Sequence, residues 1–173
     1  MPPNSRKARP AGAATSAGMA ARVAGAIVCH MNLPLTPGIL ARHEAGHVAM
    51  FLYLGLPIDY VTIAGDEGNT FPLSDPVHTD WQTVLIDLAG SVATPRQPVW
   101  ASEDDSRTAY EAASRIAHQR GVPAYVVRDE GLAETRKVIR AARRTVDAVA
   151  EALLERERLS GDEVSEIAAE AGK

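Results

Sequence analysis

The chain is short of thiols, aromatic rings and net charge, and each shortage closes off a class of protein. Cys29 is the only cysteine in 173 residues, so no disulfide can form within the chain and a disulfide scaffold is excluded. A single thiol suits a reducing, cytoplasmic setting. Aromatic residues make up 5% of the sequence. With alanine abundant, that favours helices packed through small side chains over a β-sandwich. The net charge of −4 gives no electrostatic reason to expect nucleic-acid binding. No apolar run approaches the roughly 18–20 residues of a transmembrane helix.

What is present is a globular composition, 46% hydrophobic and 23% charged, in a chain long enough for one domain with a hydrophobic core. Residues 1–32 stand apart. They are basic, rich in Ala, Gly and Pro, and hold no acidic residue. Arg22 interrupts what would be the apolar part of a signal peptide, and the composition predicts a disordered tail. The folded domain is expected over residues 33–173.

The stretch "LTPGILARHEAGHVAMFLYLGLP" predicts a helix with both ends marked, Thr36 as N-cap, Pro37 in the first turn, and Gly55 with Pro57 as the stop. "DYVTIAG" reads as a short strand and "GDEGNTFPLSDPVH" as a loop. Thr79 and Gln82 form a capping box for a second helix, with Trp81, Val84, Leu85, Leu88 and Val92 as its apolar stripe. A third helix, from Ser102 to Gly121, shows a face of Ala109, Ala112 and Ala113 that requires a closely packed neighbour. A long helix is expected from about Asp129 to Arg158, and a last short one behind the capping box of Ser160 and Glu163. The expected fold class is mainly α (α+β), a helical domain with a small β-element.

The chemistry concentrates in "RHEAGHVAM", residues 42–50. Histidines four apart on a helix share one face and supply two imidazoles to one ion. The glutamate between them can take a proton from water at that ion. On this reading His43 and His47 are zinc ligands and Glu44 is the general base. The same pattern also arises by chance on ordinary helices, and a hydrolytic zinc site needs a third protein ligand. His30 lies in the expected tail, and His78 and His118 read more simply as solvated or capping residues. The acidic cluster "SEDDS" is better placed, because it opens the alanine-faced helix. Asp104 and Asp105 both qualify as ligands there, and both also suit a helix N-terminus. Gly46, in the middle of the motif helix, signals close approach by another segment.

Several stretches resemble the FtsH-type zinc metalloproteases, and they do so in that family's order: "HEAGHVA", "LPIDYVTI" followed by "GNT", "LIDLAGSVAT", "SEDDSRTAYEAASRIA" and "VAEALLERERLSGDEVSEI". The resemblance spans about residues 36 to 169. It implies a helical peptidase domain that hydrolyses peptide bonds with Zn2+. The family's alanine spacing gives the third ligand as Asp105, with Asp104 second, beside His43 and His47. An extended polypeptide is expected to pair with the strand edge at Val61, Thr62 and Ile63. The chain contains no Walker A sequence, so the activity expected is cleavage of unfolded or short polypeptides without an ATPase of its own, in a homo-oligomer or beside a separate ATPase partner. The alternative is a non-catalytic zinc-binding or regulatory module built on the same fold.

Overall fold

The computed structural model describes residues 27–29, 36–64, 68–73, 78–94 and 103–173. Helix α1, Pro37–Leu54, begins and ends where its sequence predicts. The Thr36 hydroxyl accepts from the Ile39 amide, and Gly55 closes the helix in the left-handed region at φ 67°. From Leu40 to Phe51 every residue except Arg42 is buried. α1 is therefore a central helix with neighbours on all sides, not an amphipathic one lying on a surface.

On one side of α1 lies an antiparallel sheet of β1 (Ile27–Cys29), β2 (Ile58–Thr62), β3 (Gly68–Pro72) and β4 (Arg158–Ser160), in the order β1-β3-β2-β4. Only β2 was legible as a strand. β3 falls inside the stretch expected to be a loop. Its Gly, Asn and Pro content is loop-like, and pairing with β2 from Ile58↔Pro72 to Thr62↔Asn69 overrides that composition. β1 falls inside the expected tail, whose other residues lie outside the described ones.

Helix α2, Asp80–Ala93, carries the predicted Thr79–Gln82 capping box. It packs on the other side of α1, and α3, Glu103–Arg120, packs on α2 through Ala109, Ala112, Ala113 and Ala117, all buried with Val84 and Leu88. The expected cap Ser102 lies outside the described residues. The long helix expected from Asp129 to Arg158 is two helices, α4 (Ala124–Ala141) and α5 (Arg143–Arg156). It starts earlier because Gly121, at φ 65°, and Pro123 turn the chain directly into α4. It breaks at Ala142 (φ −87°, ψ 14°) with no Gly or Pro there. The two halves pack differently: α4 lies mainly against α2 and α3, with a smaller contact to α1, whereas α5 lies mainly against α1. It stops at Glu157, a non-glycine residue at φ 59°. That conformation is secured because the Glu157 carbonyl accepts from the Ile63 amide at 2.8 Å and from the Thr62 hydroxyl at 3.0 Å. Arg158 then opens β4. Helix α6, Gly161–Ala171, follows the predicted Ser160–Glu163 capping box. The protein is thus mainly helical with a small antiparallel sheet, and no helix among the described residues is long and apolar enough to cross a membrane.

Candidate metal centre

The motif helix is held unusually close to α2. A Cβ on Gly46 would stand 2.6 Å from the Ala89 carbonyl oxygen and 2.7 Å from the Ala93 methyl, and a Cβ on Gly90 would collide with the His43 ring. Two glycines, one on each helix, thus bring the imidazoles hard against α2. Arg42 ties the same helices from outside. Its Nε donates to the Ala93 carbonyl at the end of α2 at 2.8 Å, and its Nη1 to Asp147 of α5 at 2.7 Å.

Within this clamp the two histidines point at each other, with His43 Nε2 and His47 Nε2 3.0 Å apart. Asp105, in the first turn of α3, arrives at the same point. Its Oδ2 is 3.1 Å from His43 Nε2 and 3.4 Å from His47 Nε2. None of the three residues is more than 3% exposed. His47 Nδ1–H donates to the Ile86 carbonyl of α2 at 2.9 Å. A carbonyl can only accept, so in the neutral ring the proton sits on Nδ1 and Nε2 presents its lone pair. Electron-rich atoms therefore converge in a buried space, an arrangement that calls for a shared proton or a cation. A tetrahedral zinc ion with ligands at about 2.0–2.2 Å holds neighbouring donor atoms about 3.3–3.6 Å apart, and the observed 3.0, 3.1 and 3.4 Å lie within a few tenths of an ångström of the lower end of that range. The donor set thus fits zinc, and His43, His47 and Asp105 could hold it.

Protonation tells the same story for the metal-free protein. Burial works against a charged His47, yet the hydrogen bond and charge of Asp105, with Glu44 and Asp87 behind it, push it up to about 9. Asp105 is likewise opposed by burial, and the two histidines nevertheless hold its carboxyl well below the usual carboxylate range. Asp105 acts as the anion of the site, and the histidines compete for whatever positive species it attracts.

Glu44 turns away from this triangle toward the sheet. Its Oε2 accepts from the Thr70 hydroxyl of β3 at 2.9 Å. Its Oε1 is buried without a hydrogen-bond partner among the described residues. Burial raises its pKa, and the histidines and Thr70 offset that only in part. Its carboxylate is within 4.8 Å of both imidazoles, so it too could ligate a metal. Asp105 is the better third donor, because it touches both Nε2 atoms while Glu44 is committed to Thr70.

The structure brings together His43, Glu44, His47 and Asp105, and separates the alternatives. Asp104 faces outward and bonds Arg107 at 2.9 Å. His78 stands edge-on to Phe51, and His118 lies exposed at the end of α3. His30 is outside the described residues. The expected pairing of substrate with Val61, Thr62 and Ile63 is not available. β2 is an inner strand, with Val61 and Thr62 paired to Thr70 and Asn69 on one side and to Leu159 and Arg158 on the other. The Ile63 amide is taken by Glu157. Sequence reasoning missed Thr70, whose part in the site depends on β3, and Arg42, whose position directly before His43 was the one available signal. No family model fits the chain, and no curated protein is significantly similar to it.

Proposed function

We propose that the protein is a zinc-dependent metallopeptidase that hydrolyses unfolded or short polypeptides. The observation that carries this reading is the convergence of His43 Nε2, His47 Nε2 and Asp105 Oδ2 at the donor spacing of a tetrahedral ion, with the Glu44 carboxylate alongside. A bound zinc ion would supply Lewis acidity, making water acidic and polarising the scissile carbonyl. His43, His47 and Asp105 would hold the ion, and the Ile86 carbonyl fixes the His47 ring for that task. Glu44 accepts the proton that the attacking water gives up and returns it to the leaving amine. Thr70 fixes one carboxylate oxygen and leaves the other for the proton. To act on folded substrates the domain would need a separate ATPase partner, or assembly into a homo-oligomer.

The test is Glu44→Gln in the full chain. Zinc content by mass spectrometry should stay at the parent level, while cleavage of a fluorogenic unstructured peptide falls by about 10²–10⁴-fold. Undiminished turnover would refute the assignment. Burial of all four side chains favours one second reading, a zinc-binding module without catalysis. Full zinc occupancy with no peptide turnover in the parent protein selects that reading instead.

A further inference from the structure

β3 contributes to the centre at two points. Thr70 donates to Glu44, and Gly68 lies so near that a Cβ there would run into the same carboxylate. One edge of β3 is occupied by β2. The other is occupied by β1, antiparallel, with Ile27 opposite Thr70, Val28 opposite Asn69 and Cys29 opposite Gly68. β1 also lies against α3, the helix that carries Asp105. It therefore bridges the strand that holds the base and the helix that holds the third donor. An extended polypeptide bound beside Glu44 would need the N–H and C=O groups of β3 that β1 engages.

We propose that Ile27–Cys29 is a resident occupant of the peptide-binding edge of this centre, and that an extended substrate binds β3 in its place. The inference rests on the peptidase reading above. Two features suit β1 to that role. It is only three residues long, so few ladder hydrogen bonds are lost when it leaves. It is also tethered to α1 through residues 30–36 alone, which keeps it near the edge at an effective concentration on the order of millimolar. A free peptide must compete with that tethered strand, so its apparent affinity is reduced by the fraction of time the edge is open. β1 thereby sets a threshold that favours long or concentrated unfolded segments over stray peptides.

The experiment measures binding of a fluorescein-labelled unstructured peptide to the zinc-loaded full chain carrying Glu44→Gln, so that binding is read without turnover. In that background Ile27→Pro with Val28→Pro, which removes a ladder donor whichever of the two adjacent amides faces β3, should tighten binding by about tenfold if the edge is normally open about a tenth of the time. A second variant, Val28→Cys with Asn69→Cys and Cys29→Ser, joins the opposed residues by a disulfide. Oxidised, it should lose peptide binding, and a phosphine reductant should restore it. The crosslinked arm keeps the idea falsifiable should the proline variant misfold. Equal affinity in the parent, proline, oxidised and reduced forms would overturn the occupancy. Zinc-dependent cleavage that is indifferent to β1 overturns it while sparing the peptidase reading. β1-dependent binding without any turnover in the Glu44 parent upholds it and removes the peptidase reading.

Discussion

Replacing Gly46 by alanine sets two known effects against each other inside the motif. In an ordinary helix the change stabilises, because alanine is better than glycine by about 1 kcal/mol. Here the new methyl would meet the Ala89 carbonyl oxygen at 2.6 Å and the Ala93 methyl at 2.7 Å. Neither is the end of a flexible side chain, so α1 and α2 must move apart. Overpacking of this kind costs about 1–3 kcal/mol. The same movement stretches the 2.9 Å bond from His47 Nδ1–H to the Ile86 carbonyl, at a cost of about 1 kcal/mol. The packing terms win, and Gly46→Ala should destabilise by about 1–3 kcal/mol, or about 2–12 °C in Tm for a chain of this size. Gly38, in the first turn of the same helix, has nothing within 4 Å of its added Cβ, and Gly38→Ala should stabilise by about 0.5 kcal/mol. Urea melts of both variants in chelator read the pair directly. If the two substitutions shift stability in the same direction, the tight α1–α2 seam described here is wrong.

Asp105→Ala should strip the chain of zinc as read by mass spectrometry, whereas Asp104→Ala should keep it and cost no more than about 1 kcal/mol, since Asp104 serves a surface pair with Arg107 and the N-terminus of α3; equal zinc loss in both would sink the ligand assignment. In the metal-free protein His47 titrates near 9 rather than at its ordinary 6.5, so its contribution is complete below pH 6.5 and is lost as pH rises through about 9. The rise amounts to about 3 kcal/mol at about 1.4 kcal/mol per pH unit. Urea melts at pH 6, 7.5 and 9 should show that decline, and flat or rising stability across the window would count against the His47–Asp105 contact.

The parts of this protein that were legible in the sequence are those decided by neighbours in the chain. The cap at Thr36, the capping boxes at Thr79 and Ser160 and the left-handed stop at Gly55 each depend on residues within one turn of a helix. The alanine face of α3 was legible because a helix so poor in bulk must pack tightly or not at all. The shared face of His43 and His47 follows from helical periodicity. Asp105 is different: spacing could not separate it from Asp104, and only the family resemblance chose between them. β1, β3 and β4 were not legible, because three- and five-residue strands take their conformation from partners far away in the chain. Gly68 and Asn69 read as loop residues until β2 lies beside them. Thr70 could not be connected to Glu44 for the same reason. Nor does anything local mark Ala142, where the helix breaks between a half packed mainly on α2 and α3 and a half packed mainly on α1.

Access to the centre follows from which of its walls can move. α1 and α2 meet through Gly46 and Gly90 with no space for even a methyl group, so a polypeptide cannot enter between them. α3 presses its alanines onto Val84 and Leu88 of α2, and withdrawing it would open that core and carry Asp105 away from the histidines. The inner strands are no better: β2 is paired on both sides, and displacing β3 would cost Glu44 its bond to Thr70. β1 is the exception. Its pairing to β3 is only three residues long. Among the described residues, a centre that is closed for its electrostatics, yet open to a chain as the proposed peptidase chemistry requires, reconciles the two at the outer edge of β3.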